Sequence, residues 1–112
     1  MFTLDTDASD FGIGAVLSQQ QNGTEWVVAY ASRALSKAER NYCATRKEML
    51  AVVYFVRYFR PNLYGQRFRL RTDHGALKQL FGFKEPVGQV ARWLQQLAEY
   101  DFIIEQARAQ AQ

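Results

Sequence analysis

Three acidic residues stand where chain elements begin or end: Asp7 at the close of an N-terminal alternating run, Glu48 inside an apolar helical stretch, and Asp73 just after a second alternating run. In an open α/β sheet, ligands collect at the carboxyl ends of the strands. Carboxylates converging there from separate elements repel unless cations sit between them. Magnesium suits such a set, because it prefers hard carboxylate oxygens, keeps several waters and completes its shell with phosphate oxygens. Two such ions roughly 3.5–4 Å apart align an attacking water and stabilise the leaving 3′ oxygen in phosphodiester hydrolysis. Each residue also has a plainer reading. Asp7 precedes a turn, Glu48 follows Thr45 at capping-box spacing, and Asp73 is placed to cap a helix.

Other chemistries fit less well. Gly12 and Gly14 lie between two predicted strands, with no helix N-terminus to receive a pyrophosphate. Ser32 and Ser36 lack a His and Asp constellation for nucleophilic catalysis. A single cysteine, Cys43, precludes an intrachain disulfide, and with one histidine, His74, it leaves zinc poorly served. A reducing intracellular compartment is expected. The apolar run Met49 to Val56 is far shorter than the roughly 20 residues of a membrane-spanning helix. The net charge of +3, from 14 Lys and Arg against 11 Asp and Glu, is compatible with a polyanionic partner without requiring one.

The elements that must position these residues follow from periodicity. Phe2, Leu4 and Thr6 alternate with Thr3, Asp5 and Asp7 as a strand, which Ala8 to Gly12 ends in a turn. Ile13 to Gln19 and Glu25 to Tyr30 read as two more strands, separated by the polar turn Gln20 to Gly23. From Thr45 to Tyr58, Met49, Val52, Val53 and Val56 recur at helical spacing, with Pro61 and Gly65 marking the end. Arg67 to Thr72 alternates as a strand, and Asp73 to Leu80 suits a short helix. Pro86 opens a further helix striped by Val87, Val90, Ala91, Leu94 and Leu97. Phe102 to Glu105 reads as a last strand. One domain, residues 1–105, and a Gln/Ala-rich tail, residues 106–112, are expected. The domain is α/β and layered, with a mixed sheet: the first three strands antiparallel, the helix-connected ones parallel.

The ordered runs Thr6-Asp7-Ala8-Ser9 with Gly12-Ile13-Gly14-Ala15-Val16-Leu17, Tyr30-Ala31-Ser32-Arg33 with Leu35-Ser36, Glu39-Arg40-Asn41-Tyr42, and Glu48-Met49-Leu50-Ala51-Val52-Val53 closely resemble the ribonuclease H domain of gypsy-type (LTR retrotransposon) reverse transcriptases. Leu63-Tyr64-Gly65, Thr72-Asp73-His74 with Leu77, and Ala91-Arg92-Trp93 with Tyr100, Asp101 and Phe102 continue the likeness in order. The resemblance spans about Phe2 to Glu105. It implies a ribonuclease H-like fold, a five-stranded mixed sheet flanked by helices, and an endoribonuclease that cuts the RNA strand of RNA–DNA hybrids. It makes Asp7, Glu48 and Asp73 three of four metal-binding carboxylates for two Mg²⁺ ions, with Mn²⁺ as a substitute. A reverse transcriptase polymerase domain would lie upstream in the parent polyprotein, and the cytoplasm, a virus-like particle or the nucleus would be its location.

After a strand like Phe102 to Glu105, that family continues with a His-Arg-Pro-Gly-like segment and a final helix bearing the fourth carboxylate. Here Gln106-Ala107-Arg108 follows, so the final helix and its aspartate are expected to be missing and activity impaired. Glu105, Asp5 and Asp10 are auxiliary ligand candidates whose ordinary roles are a solvated strand end, a strand face and a turn. Arg33, Lys47, Arg71, His74 and Arg92 are candidate nucleic-acid contacts. The competing expectation is a catalytically inactive ribonuclease H-like module that binds nucleic acid or serves as a scaffold.

Overall fold

The computed structural model describes residues 1–82 and 88–106. β1 (Phe2–Ala8), β2 (Gly12–Gln21) and β3 (Thr24–Ala34) form an antiparallel meander. The β2–β3 hairpin closes on Asn22 and Gly23, with φ of 53° and 80°. Two successive positive φ angles give the turn whose twist matches that of paired strands, and Asn-Gly adopts it at little cost. β3 runs four residues past the expected Tyr30, because Ala31 to Ala34 continue the ladder opposite Ala15 to Gly12 although they carry no strong apolar alternation.

A single 3-10 turn, Glu39–Asn41, leads into α1 (Ala44–Tyr58). α1 ends at Tyr58 as expected, but Pro61 lies inside a further helical turn rather than in a loop. It sits in the first turn of a short second helix, α2 (Arg60–Leu63), where a missing backbone N–H costs nothing. β4 (Arg67–Thr72), α3 (His74–Phe81), α4 (Gly88–Leu97) and β5 (Asp101–Gln106) complete the described order. The expected helix start at Pro86 and Val87, and the tail beyond Gln106, lie outside the described residues.

The five strands are ordered β3-β2-β1-β4-β5, with β1 parallel to β4 and β4 parallel to β5. The expected mixed sheet is therefore present. Leu4, Leu17, Phe68 and Leu70 of the sheet meet Val52, Phe55 and Val56 of α1 in the core, all at 0% exposure. This apolar stripe fixes the rotation of α1 about its axis, and so decides where Glu48 is carried. Among the described residues, no helix is long and apolar enough to cross a membrane.

Candidate metal centre

The parallel register of β1 and β4 sets Thr3 opposite Arg69, Leu4 opposite Leu70 and Asp5 opposite Arg71. Asp7 and Asp73 each lie two residues beyond the last of these pairs, at the carboxyl ends of β1 and β4. A buried hydrogen bond of 2.9 Å from Thr6 Oγ1 to Thr72 Oγ1 pins the two strands one step before the aspartates. This contact was not foreseen from the sequence, although the repeated dipeptide Thr6-Asp7 and Thr72-Asp73 is a visible signal for it.

Glu48 enters from α1. Cys43 is the N-cap of that helix and makes no side-chain capping bond, so the capping box of Thr45 with Glu48 is not formed: the helix begins too early for that spacing. Burial, then the charges of Asp7 and Asp73, push the Glu48 carboxyl up from 4.5 to about 7. The backbone N–H of Ala8, which also donates to Asp7 Oδ1 at 2.9 Å, pulls the other way. Asp7 and Asp73 thus both lie within electrostatic reach of Glu48. Asp73 additionally caps α3, its Oδ1 accepting from the Gly75 N–H at 2.9 Å, as its plainer reading expects.

The donor set fits a hard dication. Among the described residues, no group of three or more His, Cys, Asp or Glu side chains is placed to hold a metal ion. An open, all-carboxylate edge is nonetheless what magnesium uses, since it keeps waters and takes its remaining oxygens from a phosphate. Positive charge there would also offset the burial and the neighbouring charges that raise Glu48.

That raised value has a consequence for metal-free stability. As pH rises from about 4.5 to about 7, the unfolded chain releases a proton that folded Glu48 retains, so folding should weaken across this window. With Glu48 half-buried, solvent screening reduces the loss to about 1–2 kcal/mol. Urea unfolding across this range should show the decline in the wild type and a flatter profile in Glu48→Gln. An equal decline in both would assign it to another group.

The cationic candidates are placed differently from one another. Arg33 holds Glu39 through two 2.8 Å bonds, and its guanidinium lies 4.6 Å from the Tyr54 ring centroid. Glu39 also accepts from the Ser36 N–H at 2.8 Å, and Arg33 foremost, with Ser36, lowers its carboxyl to about 2. Arg71 is buried; its guanidinium donates twice to Asp5 at 2.8 Å and also pairs with Glu25, which raises its pKa. Lys47 is buried too, with Nζ 3.3 Å from the Asp10 carbonyl and 3.9 Å from its carboxylate. These three cations are engaged inside the domain: Arg33 meets an acid six residues on, while Lys47 and Arg71 meet acids remote in sequence. His74 opens α3, and Arg92 is exposed on α4. Of the auxiliary acids, Asp5 and Asp10 have the partners just given, and Glu105 lies 3.6 Å from Arg69.

A mixed sheet whose central parallel strands end in carboxylates, with a third carboxylate delivered by the helix that follows the meander, defines a ribonuclease H-like fold. The chain belongs to the family described as the RNase H-like domain found in reverse transcriptase, whose pattern matches residues 1–100. It is 42% identical to the retrovirus-related Pol polyprotein from transposon 412 of Drosophila melanogaster, over 93% of this chain and 8% of the relative. It is 43% identical to the corresponding polyprotein from transposon 297 of the same organism, over 93% of this chain and 9% of the relative. The chain therefore spans less than a tenth of the length of these relatives. Solved structures share the fold. The foamy viral protease-reverse transcriptase in complex with dsDNA aligns with a TM-score of 0.74, covering 99% of this chain and 24% of that one, at 14% identity. LC11-RNase H1 in complex with RNA/DNA hybrid aligns at 0.59, covering 95% of this chain and 84% of that one, at 14% identity.

Proposed function

We propose that this chain is a divalent-metal-dependent endoribonuclease domain that cleaves the RNA strand of RNA–DNA hybrids during reverse transcription, beside a polymerase domain of the same polyprotein and in a reducing intracellular compartment. The observation that carries this reading is the placement of Asp7 and Asp73 at the ends of adjacent strands pinned by the Thr6–Thr72 bond, with Glu48 of α1 within electrostatic reach of both. The names of the relatives and the hybrid-bound structure of similar fold add support.

Asp7 and Asp73, held by paired strands, would present fixed carboxylate oxygens, while Glu48 would keep its proton until positive charge displaces it. Mg²⁺, or Mn²⁺ in its place, would supply an activated water and stabilise the departing 3′ oxygen. Tested as these 112 residues alone, the domain brings three carboxylates of the family's four and should cut weakly. Manganese should serve better than magnesium, because it binds a given ligand set more tightly.

Binding by fluorescence anisotropy tests recognition apart from cleavage. Hybrid should bind more tightly than single-stranded DNA, through duplex shape and 2′-hydroxyls, and affinity should fall steeply with salt as phosphate contacts release counterions. Arg92→Ala should reduce that slope. Equal affinity for hybrid and single strand, independent of salt, would contradict the proposal.

A further inference from the structure

β1 and β4 are parallel neighbours inside the sheet, and the last pair in their register is Asp5 with Arg71. β1 runs on to Ala8 and β4 to Thr72, so the strand ends that deliver Asp7 and Asp73 extend past that pair. Side chains join them there. Arg71 lays its guanidinium along the Asp5 carboxylate, Nε and Nη2 each donating at 2.8 Å, and it also pairs with Glu25 of β3. One residue further along, Thr6 Oγ1 donates to Thr72 Oγ1 at 2.9 Å.

Successive residues of a strand point to opposite faces, so these two links lie on opposite sides of the sheet. Thr6 and Thr72 share the face of Leu4 and Leu70 and are buried at 7% and 0% exposure, whereas Asp5 and Arg71 point the other way. A single link would leave the strand ends free to pivot about it. Two links on opposite faces fix both their separation and their relative twist. Each is demanding in its geometry. A guanidinium fork on a carboxylate sets an angle as well as a distance. The 2.9 Å between the two hydroxyl oxygens is closer than the roughly 3.5–4.0 Å at which carbon atoms pack, so an apolar pair could not hold these side chains as near.

We propose that Asp5–Arg71 and Thr6–Thr72 form a clasp that sets the spacing of Asp7 and Asp73 for a divalent metal, making Arg71, Thr6 and Thr72 positioning residues. Arg71 then serves the carboxylates and not the nucleic acid. The inference rests on the proposed function, which supplies the metal. A small hard dication tolerates little departure from octahedral geometry, so loosening the clasp should cost metal affinity even though no ligand and no charge is removed.

The experiment is calorimetric titration of Mn²⁺ into the 112-residue chain, with the unfolding midpoint of every variant measured alongside. Thr72→Val keeps the shape and loses the hydroxyl, while Thr72→Ser keeps the hydroxyl. Arg71→Lys keeps the charge and loses the fork. Thr72→Val and Arg71→Lys should each bind Mn²⁺ about 10- to 100-fold more weakly, the cost of altering an outer partner of a metal site. Thr72→Ser should keep most of the affinity. The double variant Thr6→Val with Thr72→Val leaves neither hydroxyl buried without its partner, so it should regain the midpoint lost in Thr72→Val but not the affinity. Wild-type affinity in Thr72→Val or Arg71→Lys, an equal loss in Thr72→Ser and Thr72→Val, or affinity that returns with the midpoint in the double variant would overturn the clasp and leave the metal centre standing. A wild-type chain that takes up no Mn²⁺ would overturn the reading beneath it as well.

Discussion

Asp7→Asn should make the metal-free protein more stable while removing its response to divalent metal. Glu48 is pushed up to about 7 partly by the charges of Asp7 and Asp73, so deleting one of those charges relieves a repulsion present only in the folded state. Above neutral pH, where Glu48 is ionised, the expected gain is about 1 kcal/mol after screening. A domain of this size should then unfold roughly 4–8 °C higher. The wild type, in contrast, should be stabilised by added Mn²⁺, by about 2.7 kcal/mol when the metal is at one hundred times its dissociation constant. The variant should show little of that increment. Asp73→Asn should repeat the pattern with a smaller gain, because Asp73 weighs less on Glu48 than Asp7 does and its charge also favours the N-terminus of α3. Scanning calorimetry with and without metal measures both effects. A destabilised metal-free Asp7→Asn, or one that still responds fully to Mn²⁺, would show that the cluster is not held together by cations.

The second large effect concerns the fourth carboxylate. Continuing the chain after Glu105 with the family's C-terminal segment and its aspartate should raise magnesium-dependent hybrid cleavage at least about 100-fold, since altering even the outer partners of a metal site costs 10–100-fold. Manganese-dependent cleavage should rise less, because tighter binding partly offsets a missing ligand. An extended Asp7→Asn control should be inactive in both metals. Gel assay of a labelled hybrid distinguishes the cases. Robust magnesium activity in the 112 residues alone would mean that the fourth ligand is dispensable, and an inert extended chain would favour a binding or scaffold module.

Much of the frame was legible because it rests on local periodicity. The alternation of Phe2, Leu4 and Thr6 gave β1, the helical spacing of Met49, Val52, Val53 and Val56 gave α1, and Arg67 to Thr72 matched β4 residue for residue. The positions of Asp7 and Asp73 at strand ends were legible for the same reason. That these two strand ends lie side by side was not a local property: it comes from the β1–β4 register and the Thr6–Thr72 bond, which join residues far apart in sequence. The partners of Arg33, Lys47 and Arg71 were hidden likewise, since an arginine that will meet Asp5 across a sheet looks, in sequence, the same as one free to meet a phosphate. The short helix α2 was not legible, because a proline that follows one helix and a proline that opens the next share the same neighbourhood.

The most direct test of a shared metal site at Asp7, Glu48 and Asp73 is a crystal of this chain soaked in manganese and measured at the metal's anomalous edge. Manganese at the carboxyl edge of β1 and β4, with its nearest protein oxygens from Asp7, Glu48 or Asp73 and waters filling the remaining shell at about 2 Å, is the expected result. An anomalous map without a peak beside these carboxylates at millimolar metal, or with its only peak elsewhere on the surface, would contradict the site and the chemistry built on it.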